Sequence, residues 1–229
     1  MRKPRRLSPS ELAGHLVELP RPHPLRTRDS ADPLPPEPPP ERLDWEKLFG
    51  NANPVEVEVG FGKGLFLLNA AMSRPDRNFF GIEIVRKYQL YATTRLAIRQ
   101  LPNAKTCCAD AKFVLREVIP PGSVATVHVF FPDPWWKTKH KKRLLFTPEF
   151  AASVANVLTP GGKLHFVTDV ADYFEMVTGT LANTPGFRLL PPPAENAPQH
   201  DMDYLTNFER KFRKEGRPIY RSEYEKFPG

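Results

Sequence analysis

The sequence predicts an α/β fold: a doubly wound, mostly parallel sheet that closes with a late antiparallel strand pair. Three observations carry that reading. From Val55 onward, short apolar and β-branched runs alternate with segments of helical spacing, the signature of repeated βα units around a buried sheet. The first run, Val55 to Val59, ends in the loop Gly60-Phe61-Gly62-Lys63-Gly64, which leads straight into a helical stretch. After Phe187 the rhythm breaks at Pro191-Pro192-Pro193, and Asn207 to Phe212 and Ile219 to Tyr224 read as two further strands that pair antiparallel.

The intervening elements follow in order. Leu65 to Met72 is helical in composition. Phe79 to Ile84 is a second buried strand, and Tyr88 to Arg99 keeps helical spacing through Tyr91, Leu96 and Ile98. Ala104 to Cys108 is a third strand and Val124 to Phe131 a fourth. Thr147-Pro148-Glu149 starts a helix, with threonine as N-cap and proline at the first helical position. Phe150, Val154, Val157 and Leu158 give that helix one buried face, the Pro160-Gly161-Gly162 turn ends it, and Lys163 to Thr168 is the fifth strand. There is no internal repeat.

Residues 1–45 differ in kind. Prolines crowd them (Pro20, Pro22, Pro24, Pro33, Pro35, Pro36, Pro38, Pro39, Pro40), arginines recur and large apolar residues are few. Such a segment buries too little surface to offset its chain entropy, so a disordered or extended tail is expected, with residues 46–229 as one domain. A chain of 229 residues suits one full-sized domain with appendages. Its net charge of +7 favours a polyanionic partner. The two cysteines, Cys107 and Cys108, are adjacent, a poor disulfide pair and half of no usual zinc site. A reducing cytoplasm and no metal are the expectation. No apolar run approaches the roughly 20 residues that span a bilayer, and Arg2, Lys3, Arg5 and Arg6 precede no apolar signal region.

Candidate site residues gather at predicted strand ends. Glu58 stands two residues before Gly60 and four before Gly62. The spacing Gly-x-Gly-x-Gly differs from the dinucleotide fingerprint Gly-x-Gly-x-x-Gly, and no Gly-Lys-Ser/Thr follows, which excludes a P-loop. A glutamate at this place would repel a pyrophosphate but suit the sulfonium and amino groups of S-adenosylmethionine. Glu83 ends the second strand, 25 residues after Glu58, where a carboxylate can accept from both ribose hydroxyls. Asp110 follows the third strand, at the height of an adenine. Each acid alone reads as a solvated loop carboxylate; together they mark the edge of the sheet where ligands bind in such folds.

Past the fourth strand the chain reads Phe131-Pro132-Asp133-Pro134-Trp135-Trp136, then Lys137-Thr138-Lys139-His140-Lys141-Lys142-Arg143. Prolines on both sides hold Asp133 on a stiff, extended loop. Tryptophan planes and five positive charges between Lys137 and Arg143 offer a nucleobase and a phosphate backbone their usual partners.

With these motifs in order, and with Val167-Thr168-Asp169 after the Pro-Gly-Gly turn, the chain resembles the bacterial tRNA (guanine-N7)-methyltransferases, within the class I, Rossmann-like methyltransferases that use S-adenosylmethionine. The similarity spans about Val55 to Lys226. It implies that Glu58, Gly60, Gly62, Glu83, Asp110 and Asp133 line the S-adenosylmethionine site and that Asp133 is catalytic. It further implies substrate contacts from Lys137, Asp169 and the segment Thr206, Asn207, Phe208 and Glu209, tRNA binding by Lys139, His140, Lys141, Lys142, Arg143 and Leu144, and methylation of a guanine in the variable loop. Two departures stand out. The late motif of the family reads Thr-Lys-Phe-Glu, so at Asn207 a cationic contact is either missing or supplied by Arg210. Trp136 stands where the family has a smaller or more polar residue. An amino-methyltransferase, a non-catalytic RNA-binding protein and a nicotinamide oxidoreductase are the competing classes. The single proline after Asp133, the retained acids and Glu58 weigh against them in turn.

Overall fold

A computed structural model describes residues 7–19, 40–134, 144–191 and 206–227. Its strands are β1 (Leu16–Val17), β2 (Val55–Val59), β3 (Asn78–Glu83), β4 (Ala104–Cys108), β5 (Val124–Phe130), β6 (Leu158–Thr168), β7 (Phe187–Leu189) and β8 (Tyr220–Lys226). The helices are α1 (Pro9–Leu12), α2 (Trp45–Phe49), α3 (Leu65–Ser73), α4 (Arg86–Ile98), α5 (Ala111–Phe113), which runs on as a π-helical turn over Val114–Val118, α6 (Pro148–Val157), α7 (Ala171–Ala182) and α8 (Asn207–Lys214). One eight-stranded sheet runs β1-β4-β3-β2-β5-β6-β8-β7. It is parallel from β1 to β6, and β8 lies antiparallel between β6 and β7.

The chain winds outward on one side from β2 to β4 and on the other from β5 to β6, so the strand order reverses between β2 and β5. The carboxyl ends of strands at such a reversal leave a crevice for a ligand. Strand β2 shows how the two faces are built. Its sequence Val-Glu-Val-Glu-Val sends Val55, Val57 and Val59 into the core beneath α6 and α7, with Phe150, Val154, Tyr173 and Val177. Alternation sends Glu56 and Glu58 to the opposite face. That face is covered by a second cluster containing Phe66, Leu67 and Leu68 of α3, Leu96 of α4 and Phe212 of α8.

The polar residues on this second face form a row. Glu58 pairs in register with His128, His128 with His165, and His165 with Glu223. His128 Nε2 donates to Glu56 at 2.8 Å, and Arg74 Nη1 meets the other oxygen of Glu56 at 2.7 Å. Burial works against charge on Glu56, but His128 and Arg74 outweigh it and hold its pKa below the usual value. Burial pushes His128 down, so the imidazole donates as a neutral group to a carboxylate already balanced by Arg74. His165, half-buried and beside His128, is lowered to about 4.

Three sequence expectations need correction. Asn207 to Phe212 is not a strand but the first part of α8: Thr206 Oγ1 caps it by accepting from Glu209 N at 3.0 Å, and Phe208 and Phe212 stand four residues apart on one helical side. The late antiparallel pair exists, but its members are β7 and β8. The fifth strand starts at Leu158 and carries Pro160-Gly161-Gly162 as a bulge, where the register jumps from Val124↔Leu158 to Thr126↔Lys163. Finally, part of the expected tail is built into the domain. Strand β1 extends the sheet beyond β4, His15 Nδ1 lies 3.0 Å from the Ala104 carbonyl, and Lys105 Nζ donates to Gly14 O at 2.6 Å. Arg42 Nη1 donates to Ile119 O at 2.6 Å and Leu43 N to Val118 O at 2.9 Å, so residues 40–44 are also tied down.

Candidate active site

The glycine loop leaves β2 at the strand-order reversal. Gly60, Gly62 and Gly64 all take positive φ, and Gly64 faces α4 so closely that a Cβ would sit 2.7 Å from that of Ala92. Phe61 between them turns inward and is buried. The loop is held from β3: Glu83 Oε2 accepts from Gly62 N at 2.8 Å, and its Oε1 accepts from Val85 N at 2.9 Å. Glu83 therefore shapes the loop.

Glu58 lies beneath the loop and is almost wholly buried. Burial, then the neighbouring charge of Glu83, push its pKa up to about 8, against a weaker stabilising contact from the Leu67 backbone N–H. Its Oε2 finds no hydrogen-bond partner among the described residues. A carboxyl in this state will ionise readily only when a cation arrives beside it.

A cleft of about 370 Å³ opens over this acid, a size suited to a small-molecule ligand. On one side it is lined by Glu58, Gly60, Gly62, Lys63, Phe66 and Phe130, with Tyr88 of α4; on the other by Thr206, Asn207, Phe208, Arg210 and Lys211 of α8 and its cap. The start of the late motif and the glycine loop, some 145 residues apart in sequence, thus face one another. Arg210 Nη2 lies 3.5 Å from Asn207 Oδ1, so a cation stands beside Asn207 at that wall.

Glu83, Asp110, Asp133, Asp169, Glu209 and Leu144 are not among the residues that line this cleft. Asp133 is exposed on the loop that follows β5. That loop begins at Phe131, which takes φ of 50°, uncommon and strained for a phenylalanine. Asp110 is exposed and accepts from Lys112 N at 2.8 Å as the cap of α5. Asp169 follows β6 and is paired with Arg217. Glu209 points inward, is buried, and accepts at Oε1 from Arg213 Nε at 3.0 Å and Arg221 Nη2 at 2.6 Å. Leu144 is half-buried, its carbonyl accepting from Lys112 Nζ at 2.7 Å. Lys137, Lys139, His140, Lys141, Lys142 and Arg143, with Trp135 and Trp136, lie outside the described residues. Sequence reasoning did not single out Lys63, Phe66, Tyr88, Phe130 or Lys211. Only Lys63 carried a signal, through its place inside the glycine loop. Among the described residues no group of His, Cys, Asp and Glu is arranged to hold a metal ion, and no helix is long and apolar enough to cross a membrane.

A parallel sheet with its order reversed above a glycine loop and a buried, uncompensated acid, closed by an antiparallel β8, defines a class I α/β methyltransferase fold. Solved structures agree. The 16S rRNA methyltransferase KamB superposes with a TM-score of 0.61 at 18% identity, over 80% of this chain and 93% of that one. A 16S rRNA (adenine(1408)-N(1))-methyltransferase from Catenulisporales acidiphilia, solved with its cosubstrate SAM, gives 0.56 at 16% identity, over 81% and 92%. A family model described as "Putative methyltransferase" matches residues 52–222. The tRNA (guanine-N(7)-)-methyltransferase of Rhodopirellula baltica is 41% identical over 95% of this chain and 84% of its own length. That of Hydrogenovibrio crunogenus is 36% identical over 78% and 74%. The chain belongs to the tRNA (guanine-N7)-methyltransferase family and is an enzyme of that class.

Proposed function

We propose that the chain transfers a methyl group from S-adenosylmethionine to N7 of a guanine in the variable loop of tRNA, forming 7-methylguanosine in the cytoplasm. The observation that carries the donor is Glu58. A buried carboxyl raised to about 8, with an unpartnered oxygen under a glycine loop, favours a ligand bearing positive charge. A dinucleotide would add its pyrophosphate to two carboxylates already in conflict. The donor fits the residues present: Glu58 and the backbone of Gly60 and Gly62 would hold its amino-acid end, Glu83 its ribose and Asp110 its adenine. When bound, S-adenosylmethionine supplies an electrophilic methyl group on a sulfonium.

The chain's own residues then have a positioning task. Guanine N7 carries a free lone pair, so no general base is needed to expose it; the base must be held in line and near attack distance. Asp133, fenced by two prolines, is the carboxylate assigned to the chemical step, where it stabilises positive charge arriving on the guanine ring. Asp169 is assigned to the N1–H and N2–H edge of guanine. Glu209 supports α8 through its two arginines and acts on the base only through that helix. Lys137, the run Lys139 to Arg143 and Leu144 are assigned to the tRNA. So are Thr206, Asn207 and Phe208, across the cleft from Glu58.

The test is direct. The protein is incubated with bulk unmodified tRNA and methyl-labelled S-adenosylmethionine, and the labelled nucleoside is identified after digestion and mapped by fragment. The expected product is 7-methylguanosine in the variable loop. Label on an exocyclic amine would instead establish an amino-methyltransferase.

A further inference from the structure

Arg217 lies in the turn between α8 and β8, where its N–H donates to Phe212 O at 2.9 Å. Its guanidinium sits 4.2 Å from the centroid of the Phe212 ring and its Nη2 pairs with Asp169 Oδ2. The two partners differ in exposure: the Asp169 side chain is 10% exposed, that of Arg217 42%. A nearly buried acceptor is thus capped by a planar donor that reaches solvent. Phe212 is flanked by Phe131 at 5.5 Å and Phe208 at 6.0 Å between ring centroids. Phe131 opens the loop to Asp133, and Phe208 lines the cleft. The result is a slot with an aromatic floor and a carboxylate wall, next to the catalytic loop.

The chemistry of that slot is selective. A carboxylate beside an aromatic plane accepts a flat group that offers N–H donors in its own plane, as a guanidinium does. The Watson–Crick edge of guanine, N1–H and N2–H₂ on either side of C2, is chemically a guanidine. Adenine and the pyrimidines present no such edge. Enzymes that act on a base read it by this edge and by stacking on apolar or aromatic side chains.

We propose that the slot between Asp169 and Phe212 seats the target guanine, and that Arg217 occupies it in the RNA-free enzyme as an internal placeholder. The proposal rests on the guanine-N7 reading above. It adds Phe212 as the stacking floor and Arg217 as the group displaced on binding. Exchange keeps both groups paired: Asp169 passes from the guanidinium to the N–H donors of the base, and the released guanidinium turns to a backbone phosphate of the same RNA. The placeholder also keeps a buried carboxylate from standing alone when no RNA is bound.

The experiment compares wild type, Arg217→Lys, Arg217→Ala and Arg217→Ala/Phe212→Leu in steady-state methylation of unmodified tRNA, with melting curves to confirm folding. Lysine keeps the charge for phosphate but lacks the planar fork, so KM for tRNA should fall by about two- to five-fold, the range a partly exposed ion pair allows. In Arg217→Ala the slot is vacant, and methylguanidinium at about 10 mM, the regime of weak single-group binding, should inhibit competitively with tRNA and not with the methyl donor. Methylammonium should not inhibit, and adding Phe212→Leu should weaken the effect by about three-fold or more. A KM for tRNA that is unchanged or raised in Arg217→Lys overturns the proposal. So does methylguanidinium inhibition that is absent, or no stronger than that of methylammonium. The nucleoside made by the wild type separates the two levels: no 7-methylguanosine defeats the functional reading itself, whereas 7-methylguanosine without these responses defeats the placeholder alone.

Discussion

Glu83 and Gly62 meet across the tops of β3 and β2, with the carboxylate accepting the glycine amide N–H at 2.8 Å. The same carboxylate takes the Val85 N–H with its other oxygen, so one side chain fixes both loops that flank the cleft. Glu83→Gln leaves only one oxygen for two amide donors. A hydrogen bond to a charged group is worth about 1.5–3 kcal/mol, so donor affinity should fall by roughly 10- to 100-fold, with turnover at saturating donor much less affected. Titration calorimetry with S-adenosylmethionine measures this, and an unchanged Kd would show that the loop holds its shape unaided.

Asp133 should serve the chemical step and not the fold, since it is exposed and its flanking prolines set the loop. Asp133→Asn keeps the shape and removes the charge. The rate of single-turnover methyl transfer at saturating tRNA and donor should fall by roughly 100-fold or more, about 3 kcal/mol, with an unaltered melting temperature. A near wild-type rate would reduce Asp133 to a positioning residue.

Glu58 makes stability depend on pH in an unusual direction. Its folded pKa, about 8, lies above the unfolded value of 4.5, so between these limits the native state holds a proton that the unfolded chain has released. Stability must fall as pH rises through that window, by at most about 1.4 kcal/mol per unit from this group. Glu58→Gln removes the term, so its melting temperature should gain on that of wild type from pH 5 to pH 8. Parallel profiles would mean that Glu58 is already ionised. A cationic donor should also expel this proton on binding, which calorimetry in buffers of different ionisation enthalpy detects.

Strand β1 turns the N-terminal segment into a stability question. Deleting residues 1–19 removes the pairing to β4, the Lys105–Gly14 and His15–Ala104 contacts, and the burial of Leu12. Burial of one leucine alone is worth about 1.5–3 kcal/mol, and about 2–4 °C accompany each kcal/mol in a domain of this size. The melt should remain cooperative but drop by roughly 5 °C. Deletion to residue 45 should cost more, because it also cuts the Arg42 and Leu43 bonds to the Val118–Ile119 turn and the Trp45 bond to Ser123.

The basic run should act on RNA alone. Replacing Lys139, Lys141, Lys142 and Arg143 by alanine should weaken tRNA binding and flatten its salt dependence, by up to about 0.7–0.9 log unit per lost phosphate contact. Donor affinity should stay as it was. An unaltered salt slope would identify the run as a solvated face.

The parallel core was legible because its strands are apolar runs punctuated by glycine and proline, and because Thr147-Pro148 announces α6 by cap chemistry. Glu58 stood out in the sequence because nothing in strand chemistry requires a glutamate next to a glycine loop, and the structure puts it in the lining of the cleft. What escaped had physical reasons. Asn-Phe-Glu-Arg-Lys-Phe can alternate as a strand, and only the four-residue step from Phe208 to Phe212 favours the helix. Strand β1 contains two residues and is an edge added by tertiary pairing, invisible to any periodicity. The opposite wall of the cleft depends on α8 folding back across the sheet, which no local pattern encodes. The pairing of Asp169 with Arg217 is of the same kind.

The position of β8 has a consequence for how the enzyme comes into being. Among the described residues β7 pairs with β8 alone, and β8 inserts between β6 and β7. On the ribosome, β7 therefore emerges before its partner exists, and β6 waits as an open edge. The half of the cleft contributed by Thr206 to Lys211 is made in the same late interval. Chains lead with their N-terminal regions as they fold during synthesis, so the parallel core with its glycine loop can form first and stand without a working site. The cleft is whole only once α8 has followed that core and closed its second wall.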